Sequence, residues 1–356
     1  MDVLLNDIAT HFNTTSDTIE LLPIQHGIKH KQNVYRLKIK DNNYILKFYE
    51  ISQPVTQSGF TPREIEQFTL TTLHNNGCQV PQVIWELSQH NALLLEWCGD
   101  QTLDDLAQGV KTPNLSTILQ NSLNSLCQIE LVFEKYSDKF TPYIFEYDYN
   151  SNLKRILEQG KKTISYLTHL NKKEMSTSAK SRLEMLWETL SNLLIDSKPT
   201  LGTLDYQARN IVINDDMSFF IDFGSVGLDW QERRVIQYIN SVGANYEEGN
   251  FVSMLDKELV EYWVNWRVQD KIDINPEEFT SRVDGHHLLY YLSIIHRLLE
   301  VVARPDEQDN RILLESWGDA GIRFKRAINI ICETKLSYNS CVVQLREIIS
   351  ELHQNA

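Results

Sequence analysis

The chain has 356 residues, 42 % of them hydrophobic, with a formal net charge of −14 and a pI near 5.2. That length suffices for one large core or two lobes at roughly 100 to 200 residues per domain, while the acidity argues against a general binder of nucleic acid or anionic membrane, which needs clustered Lys and Arg. Cys78, Cys98, Cys127, Cys332 and Cys341 are odd in number and far apart, which argues against a disulfide framework or a zinc site, and the lack of a signal-like start or a membrane-length apolar run makes the cytoplasm the expected location.

Val3, Leu4, Ile8 and Phe12 recur at helical spacing, and with Asp17-Thr18-Ile19 they predict a small leading helix within residues 1 to about 20. Val34–Ile39 and Tyr44–Tyr49 alternate around a polar break, Lys40–Asn43, which reads as a β-hairpin whose second strand carries Lys47. Pro62 opens a helix that Asn75-Asn76-Gly77 closes. Val80–Trp85 and Ala92–Trp97 then read as two more strands. After Gly99 helical periodicity dominates residues 102 to about 196, interrupted by a polar surface loop from Lys172 to Ser181 and followed by a helix from Arg182 to Asp196. Residues 200 to 226 suggest loops and short strands. From about Gln231 the pattern is helical, with breaks near Gly243–Gly249 and Arg304–Asn310.

The segment Thr203-Leu204-Asp205-Tyr206-Gln207-Ala208-Arg209-Asn210, followed across the apolar Ile211-Val212-Ile213 and an Asn214-Asp215-Asp216 turn by Asp222-Phe223-Gly224, carries the most chemical information. An Asp, an Asn five positions later and an Asp-Phe-Gly stand in the order that phosphoryl transfer requires. A hydroxyl nucleophile needs a fixed carboxylate to aim it and take its proton, the role open to Asp205. A triphosphate needs Mg²⁺, which takes few hard oxygen ligands from protein, and Asn210 and Asp222 offer two.

These motifs resemble those of the aminoglycoside phosphotransferase and choline kinase family, and Gln207 resembles the choline kinase form of the loop. The resemblance spans roughly residues 20 to 230. It implies that Lys47 holds the α- and β-phosphates of ATP, or of GTP, and that Glu66 orients it from the helix behind, with Glu64 as the alternative partner. It also implies that Gly27, with Lys29 or Lys31 nearby, belongs to the loop over the nucleotide, and that Glu96 and Cys98 form the hinge that reads the purine edge. Three features depart from the family pattern. Only Gly27 stands where relatives carry two or more small residues; Thr203-Leu204 replaces His-Gly or His-Asn; and Leu228–Arg234 replaces Gly-Asp-Pro and its downstream Asp.

Adjacent histidines point to different sides of a regular element, so His286 and His287 read as a helix-start or surface pair in preference to metal ligands. Trp263, Trp266, Tyr290, Tyr291 and Trp317 read mostly as core, with one or two as walls of an acceptor pocket for an amine. The expected fold is α+β and protein-kinase-like, with an N-terminal nucleotide-binding lobe over residues 1–96 and a larger, mainly helical lobe over residues 97–356. The expected function is Mg²⁺-dependent transfer of the γ-phosphate to a hydroxyl of an aminoglycoside, amino alcohol, sugar or natural product. A weak or inactive nucleotide-binding relative is the rival reading. A protein kinase fits less well, since no Ala-Pro-Glu segment follows Gly224.

Overall fold

The computed structural model describes residues 2–24, 33–108, 114–146, 148–170, 176–240, 251–269, 275–308, 310–311 and 318–354. The alternating runs near the N-terminus pair into one antiparallel five-stranded sheet made of β1 (Ile19–Pro23), β2 (Val34–Ile39), β3 (Asn42–Phe48), β4 (Val83–Leu87) and β5 (Ala92–Glu96), in the order β1-β2-β3-β5-β4. Alternation sends successive side chains to opposite faces. Leu37, Ile39, Leu46 and Leu94 pack with Leu4 and Ile8 of the leading helix α1 (Asp2–His11). Leu93 and Leu95, the intervening positions of β5, join Ile65, Leu70 and Leu73 of α2 (Pro62–Asn75) instead. Each face of the sheet is thus covered by one helix.

Local chemistry sets the ends of these elements. Thr61 accepts the Glu64 N–H while the Glu64 carboxylate accepts the Thr61 N–H, a capping box reinforced by Pro62 in the first turn. Gly77 ends the helix at φ +80°, a left-handed conformation that a side chain would strain. The hairpin turn is tighter than the four polar residues suggested, because Ile39 pairs with Asn42 and only Lys40 and Asp41 stay outside the ladder. β4 starts at Val83 and not at Val80, since Pro81 has no N–H to give to a ladder. Ile19 belongs to β1 and not to the leading helix.

Past the sheet, Gly99 adopts φ +144°, and a Cβ there would stand 2.7 Å from the Ile213 carbonyl oxygen. This close passage brings β6 (Gln101–Thr102) onto β8 (Ile211–Asn214), which pairs in turn with β9 (Met217–Phe220), while β7 (Thr200–Thr203) pairs with β10 (Val226–Asp229). The helices that follow the sheet are α3 (Leu103–Gln108), α4 (Leu115–Lys135), α5 (Ser137–Phe140), α6 (Tyr149–Leu170), α7 (Thr177–Ile195), α8 (Gln231–Ile239), α9 (Lys257–Gln269), α10 (Pro276–Ala303), α11 (Ala320–Glu333) and α12 (Ser340–Gln354). The cluster holding α2 and β5 also takes in Leu123 and Phe133 of α4, Phe220 of β9, Phe223, Val235 of α8 and Trp263 of α9. A second cluster joins α6, α7, α10, α11 and α12 through Trp187, Leu292, Ile328 and Leu345. Among the described residues no helix is long and apolar enough to cross a membrane.

The polar stretch ending at Ser181 is not all loop: Ser176 accepts the Ala179 N–H and caps α7, so Thr177–Ser181 form a largely exposed first turn. Their polarity marks the solvent side of a helix. Residues 172–175, the break at Gly243–Gly249 and Trp317 lie outside the described residues. His286 and His287 neither start a helix nor lie on the surface; they occupy the middle of α10 and are 3 % and 0 % exposed. Because α10 packs against α6, α7, α8, α9, α11 and α12, residues on several of its sides are buried, including both rings.

Burial pushes His286 down to about 3, aided by the charges of Arg233 and Arg282, and it pushes His287 well below its ordinary value, aided by Arg346. Both rings stay neutral in the folded chain at a pH where the unfolded chain protonates them, below roughly pH 6.5. The unfolded state then binds more protons, so stability falls as pH drops, by ~1.4 kcal/mol per pH unit for each ring. Urea denaturation at pH 7.5, 6.5 and 5.5 should show this decline, and His286→Phe should flatten it. An unchanged slope in that variant would mean that the His286 ring is charged in the fold.

Candidate active site

Lys47 extends from β3 into the space between α2 and the chain that leaves β9. Its ammonium stands 2.6 Å from Glu66 Oε2 and 2.7 Å from Asp222 Oδ1. Glu66 lies one helical turn into α2, on the face turned toward the sheet, whereas Glu64 is committed to the capping box at Thr61. The partner of Lys47 is therefore Glu66. The Tyr49 hydroxyl donates to the same oxygen, Glu66 Oε2, at 2.6 Å. Sequence reading passed over Tyr49, although its place two residues after Lys47, on the same face of the chain by strand alternation, was a usable signal.

Asp222 reaches this point through a strained backbone. Its φ is +69°, a region that L-residues rarely enter, though Asp tolerates it better than most. The segments on either side hold it there. Before it, the Ile221 N–H donates to the Asn210 carbonyl at 3.0 Å and the Phe220 N–H to the Gln79 carbonyl at 3.0 Å. After it, Phe223 is fully buried, with its ring centroid 6.4 Å from that of Phe133.

Asp205 follows β7, on a loop bonded at each step. The Asp205 N–H donates to the Thr203 hydroxyl at 3.3 Å, and the Leu204 N–H donates to the Ser225 carbonyl at 3.0 Å. The Gln207 amide donates to Asp205 Oδ1 at 2.7 Å, and the Asn210 amide nitrogen donates to the Asp205 carbonyl at 3.0 Å. This last bond fixes the Asn210 amide by its nitrogen and leaves its oxygen as the available acceptor. Leu204, in the place of Gly or Asn in the family pattern, packs against Gly227, where a Cβ would meet it at 2.8 Å.

The two aspartates have opposite proton affinities. The Lys47 charge holds the Asp222 carboxyl below its ordinary value against the pull of burial. Burial, then the neighbouring Asp222 charge, raise Asp205, and the Gln207 hydrogen bond and the Arg209 charge offset this in part. Burial alone would lower Lys47, but Asp222 and Glu66 outweigh it and keep the ammonium charged. Burial raises Glu66, and Lys47 counters that only in part. Tyr238 of α8 is fully buried and close enough to feel the charges of Asp205 and Asp222, which add to burial in raising its proton affinity. It too was missed, because its position depends on how α8 packs.

The structure thus joins Lys47, Glu66, Asp205, Asn210 and Asp222 through hydrogen bonds and direct electrostatic contact. Glu96 and Cys98 lie where β5 ends. Glu96 accepts the Gln82 N–H at 3.1 Å, and the Cys98 thiol points at the Glu96 carbonyl at 3.8 Å, with burial and then the Glu96 charge raising its pKa. Gly27, Lys29 and Lys31 lie outside the described residues. No three His, Cys, Asp or Glu side chains among the described residues are grouped to hold a metal ion. Trp263 is fully buried against Phe279, and Tyr291 is fully buried in α10, as core.

Residues 21–246 match the model of the phosphotransferase enzyme family, and the chain belongs to that family. No curated protein matches the chain. Among solved structures, the macrolide 2'-phosphotransferase MphH from Brachybacterium faecium is similar over 90 % of this chain and 98 % of its own, with 12 % identity and a TM-score of 0.53. A choline/ethanolamine kinase family protein from Mesorhizobium loti is similar over 97 % of this chain and 99 % of its own, with 11 % identity and a TM-score of 0.54. Amicoumacin kinase hAmiN, solved with AMP-PNP, Ca²⁺ and Ami, is similar over 97 % and 96 %, with 13 % identity and a TM-score of 0.53. The fold is accordingly α+β and kinase-like.

The site geometry itself can be tested without any substrate. Glu66 is 2 % exposed at its side chain, so removing the ammonium strands a buried charge. Lys47→Met should lower stability by ~3 kcal/mol or more, as for other broken buried pairs, and by more than Tyr49→Phe, which removes one hydrogen bond to a charged group at ~1.5–3 kcal/mol. Urea denaturation at pH 7.5 reads both. A Lys47→Met protein as stable as the parent would show that Glu66 carries no charge there.

Proposed function

We propose that this member of the phosphotransferase enzyme family moves the γ-phosphate of ATP or GTP onto a hydroxyl of a small molecule, with Mg²⁺. The observation that carries the reading is the pair of aspartates held apart in proton affinity beside Lys47. A carboxylate that stays ionised suits cation binding, and one with raised affinity for a proton suits a general base working nearer neutral pH. The nucleotide would lie between the lobe of residues 1–96 and that of residues 97–356, with Glu96 and Cys98 offering main-chain groups to the base and Gly27 part of the cover.

The donor set fits Mg²⁺, because Asn210 is fixed by its nitrogen with its amide oxygen available and Asp222 is kept ionised by Lys47. Bound there, the ion would neutralise charge on the triphosphate. Lys47, steadied by Glu66 and Tyr49, would hold the α- and β-phosphates. Asp205, aimed by Gln207, would orient the acceptor hydroxyl and take its proton as the new O–P bond forms and the bond to the β-phosphate breaks. The neighbours' names cover a macrolide, amicoumacin and choline or ethanolamine, and a hydroxyl-bearing natural product or amino alcohol is the acceptor class we infer. The rival reading, a protein with a weakened site, rests on Thr203-Leu204 and on the single glycine, Gly27, of the loop over the nucleotide. The Thr203 hydroxyl bonded to the Asp205 N–H speaks for a loop held without a histidine.

Calorimetry should show binding of ATP or GTP that depends on Mg²⁺, and a mass-spectrometric screen of hydroxylated metabolites and antibiotics with MgATP should reveal a phosphate adduct. Asp205→Asn should then cut turnover by roughly a hundred- to ten-thousand-fold while leaving nucleotide affinity nearly intact. Asp222→Asn should weaken Mg²⁺-dependent binding and turnover together. Absence of nucleotide binding at millimolar concentration would overturn the reading, and wild-type turnover in Asp205→Asn would overturn the assignment of the base.

A further inference from the structure

We propose that Tyr206, Asp229 and Arg233 form a latch that positions the Asp205 loop, an inference that rests on the reading of Asp205 as the catalytic base. Tyr206 lies between Asp205 and Gln207 and is 5 % exposed. Its hydroxyl donates to Oδ2 of Asp229, the last residue of β10, whose side chain is fully buried. Arg233 Nη1, one turn along α8, donates to the same Oδ2 at 2.9 Å, and its guanidinium lies 5.7 Å from the centroid of the Tyr206 ring. The other oxygen, Asp229 Oδ1, accepts the Trp230 N–H at 2.8 Å where α8 starts.

A buried carboxylate with only this bond, to the N–H of the following residue, would be explained as part of the turn into α8 alone. Asp229 does more than that. The local bond to Trp230 occupies only Oδ1, while Oδ2 is committed to a residue of the loop, with Arg233 supplying the compensating charge that a buried carboxylate requires. Besides the bonds of the Leu204 N–H and the Asn210 amide, the loop is held in three ways at Asp205 and Tyr206: Thr203 at the Asp205 N–H, Gln207 at the Asp205 carboxylate, and the latch at Tyr206. The first two act on Asp205 directly. The latch acts through Tyr206 and fixes the loop against α8, whose Tyr238 ring stands 6.2 Å from that of Tyr206. Tyr206, Asp229 and Arg233 are positioning residues in this scheme. They also account for Leu228–Arg234, the stretch that departed from the family pattern, because Asp229 and Arg233 both fall within it.

Tyr206→Phe keeps the ring and deletes the donor. In the full chain it should raise amide hydrogen exchange at residues 204–210 at least tenfold while leaving β8 and α8 unchanged. It should also lower the turnover of ATP hydrolysis, with water as acceptor, at least tenfold, with KM for ATP and the affinity for MgATP within about twofold of the parent. Asp229→Asn should do the same, and the double variant should be no worse than either single one, since all three remove one coupled unit. Parental exchange and turnover in Tyr206→Phe would overturn the latch. Exchange raised throughout the fold, or a rise in KM in step with the fall in turnover, would overturn it in favour of a general stabilising role. If the parent neither binds nor hydrolyses MgATP, the proposed function fails, and the exchange of residues 204–210 still decides whether the latch holds the loop.

Discussion

One ammonium group organises the centre of this molecule. Lys47 bonds to Glu66, 19 residues away in sequence, and to Asp222, 175 residues away, so strand β3, helix α2 and the chain leaving β9 meet at one charge. Each partner needs the others. Burial favours the neutral form of each: Asp222 and Glu66 together outweigh it at Lys47 and keep the ammonium charged, while Lys47 offsets in part the rise that burial causes at Glu66. The Tyr49 hydroxyl supplies a further hydrogen bond to Glu66, which a buried carboxylate needs to remain ionised.

The character of Asp205 follows from that centre. Lys47 lowers the proton affinity of Asp222, and the resulting negative charge, added to burial, raises that of Asp205. Two residues of one type thus acquire different chemistry from their surroundings. The left-handed backbone at Asp222 is part of the arrangement, since the main-chain bonds of Phe220 and Ile221 and the burial of Phe223 fix the segments around it. α8 brings Tyr238 within reach of the charges of both aspartates and holds Arg234 in a buried network with Glu130, Thr200 and the Asp229 carbonyl. Gly202 leaves room for this guanidinium, as a Cβ there would come within 2.8 Å of Arg234 Cζ.

The helical back of the molecule obeys a different rule. α10 is enclosed by its neighbours, so position along the chain says little about exposure there, and even a pair of adjacent histidines becomes core. Polar atoms held in this way make the region sensitive to pH. The same enclosure explains why Trp263 and Tyr291, which in sequence might equally line a pocket, serve as packing.

By itself the sequence determined whatever is written in local periodicity and short spacing. Alternation marked the strands and the side of β3 that bears Lys47, Pro62 and Gly77 marked the ends of α2, and Asp205, Asn210 and Asp222 stood in the order that phosphoryl transfer uses. For the partner of Lys47 the family resemblance offered Glu66 with Glu64 as the alternative, and the capping box that claims Glu64 decided between them. Tertiary structure alone decided the rest: that Tyr49 would share the Glu66 oxygen, that Asp222 would be held by Lys47 while Asp205 was not, that Tyr206 would be tied to Asp229, and that the histidines would be enclosed. Those outcomes depend on which side chains from distant parts of the chain come into contact and on how much water is excluded from between them. Electrostatic interaction grows as water is excluded, and neither exclusion nor long-range contact leaves a periodic mark along the chain.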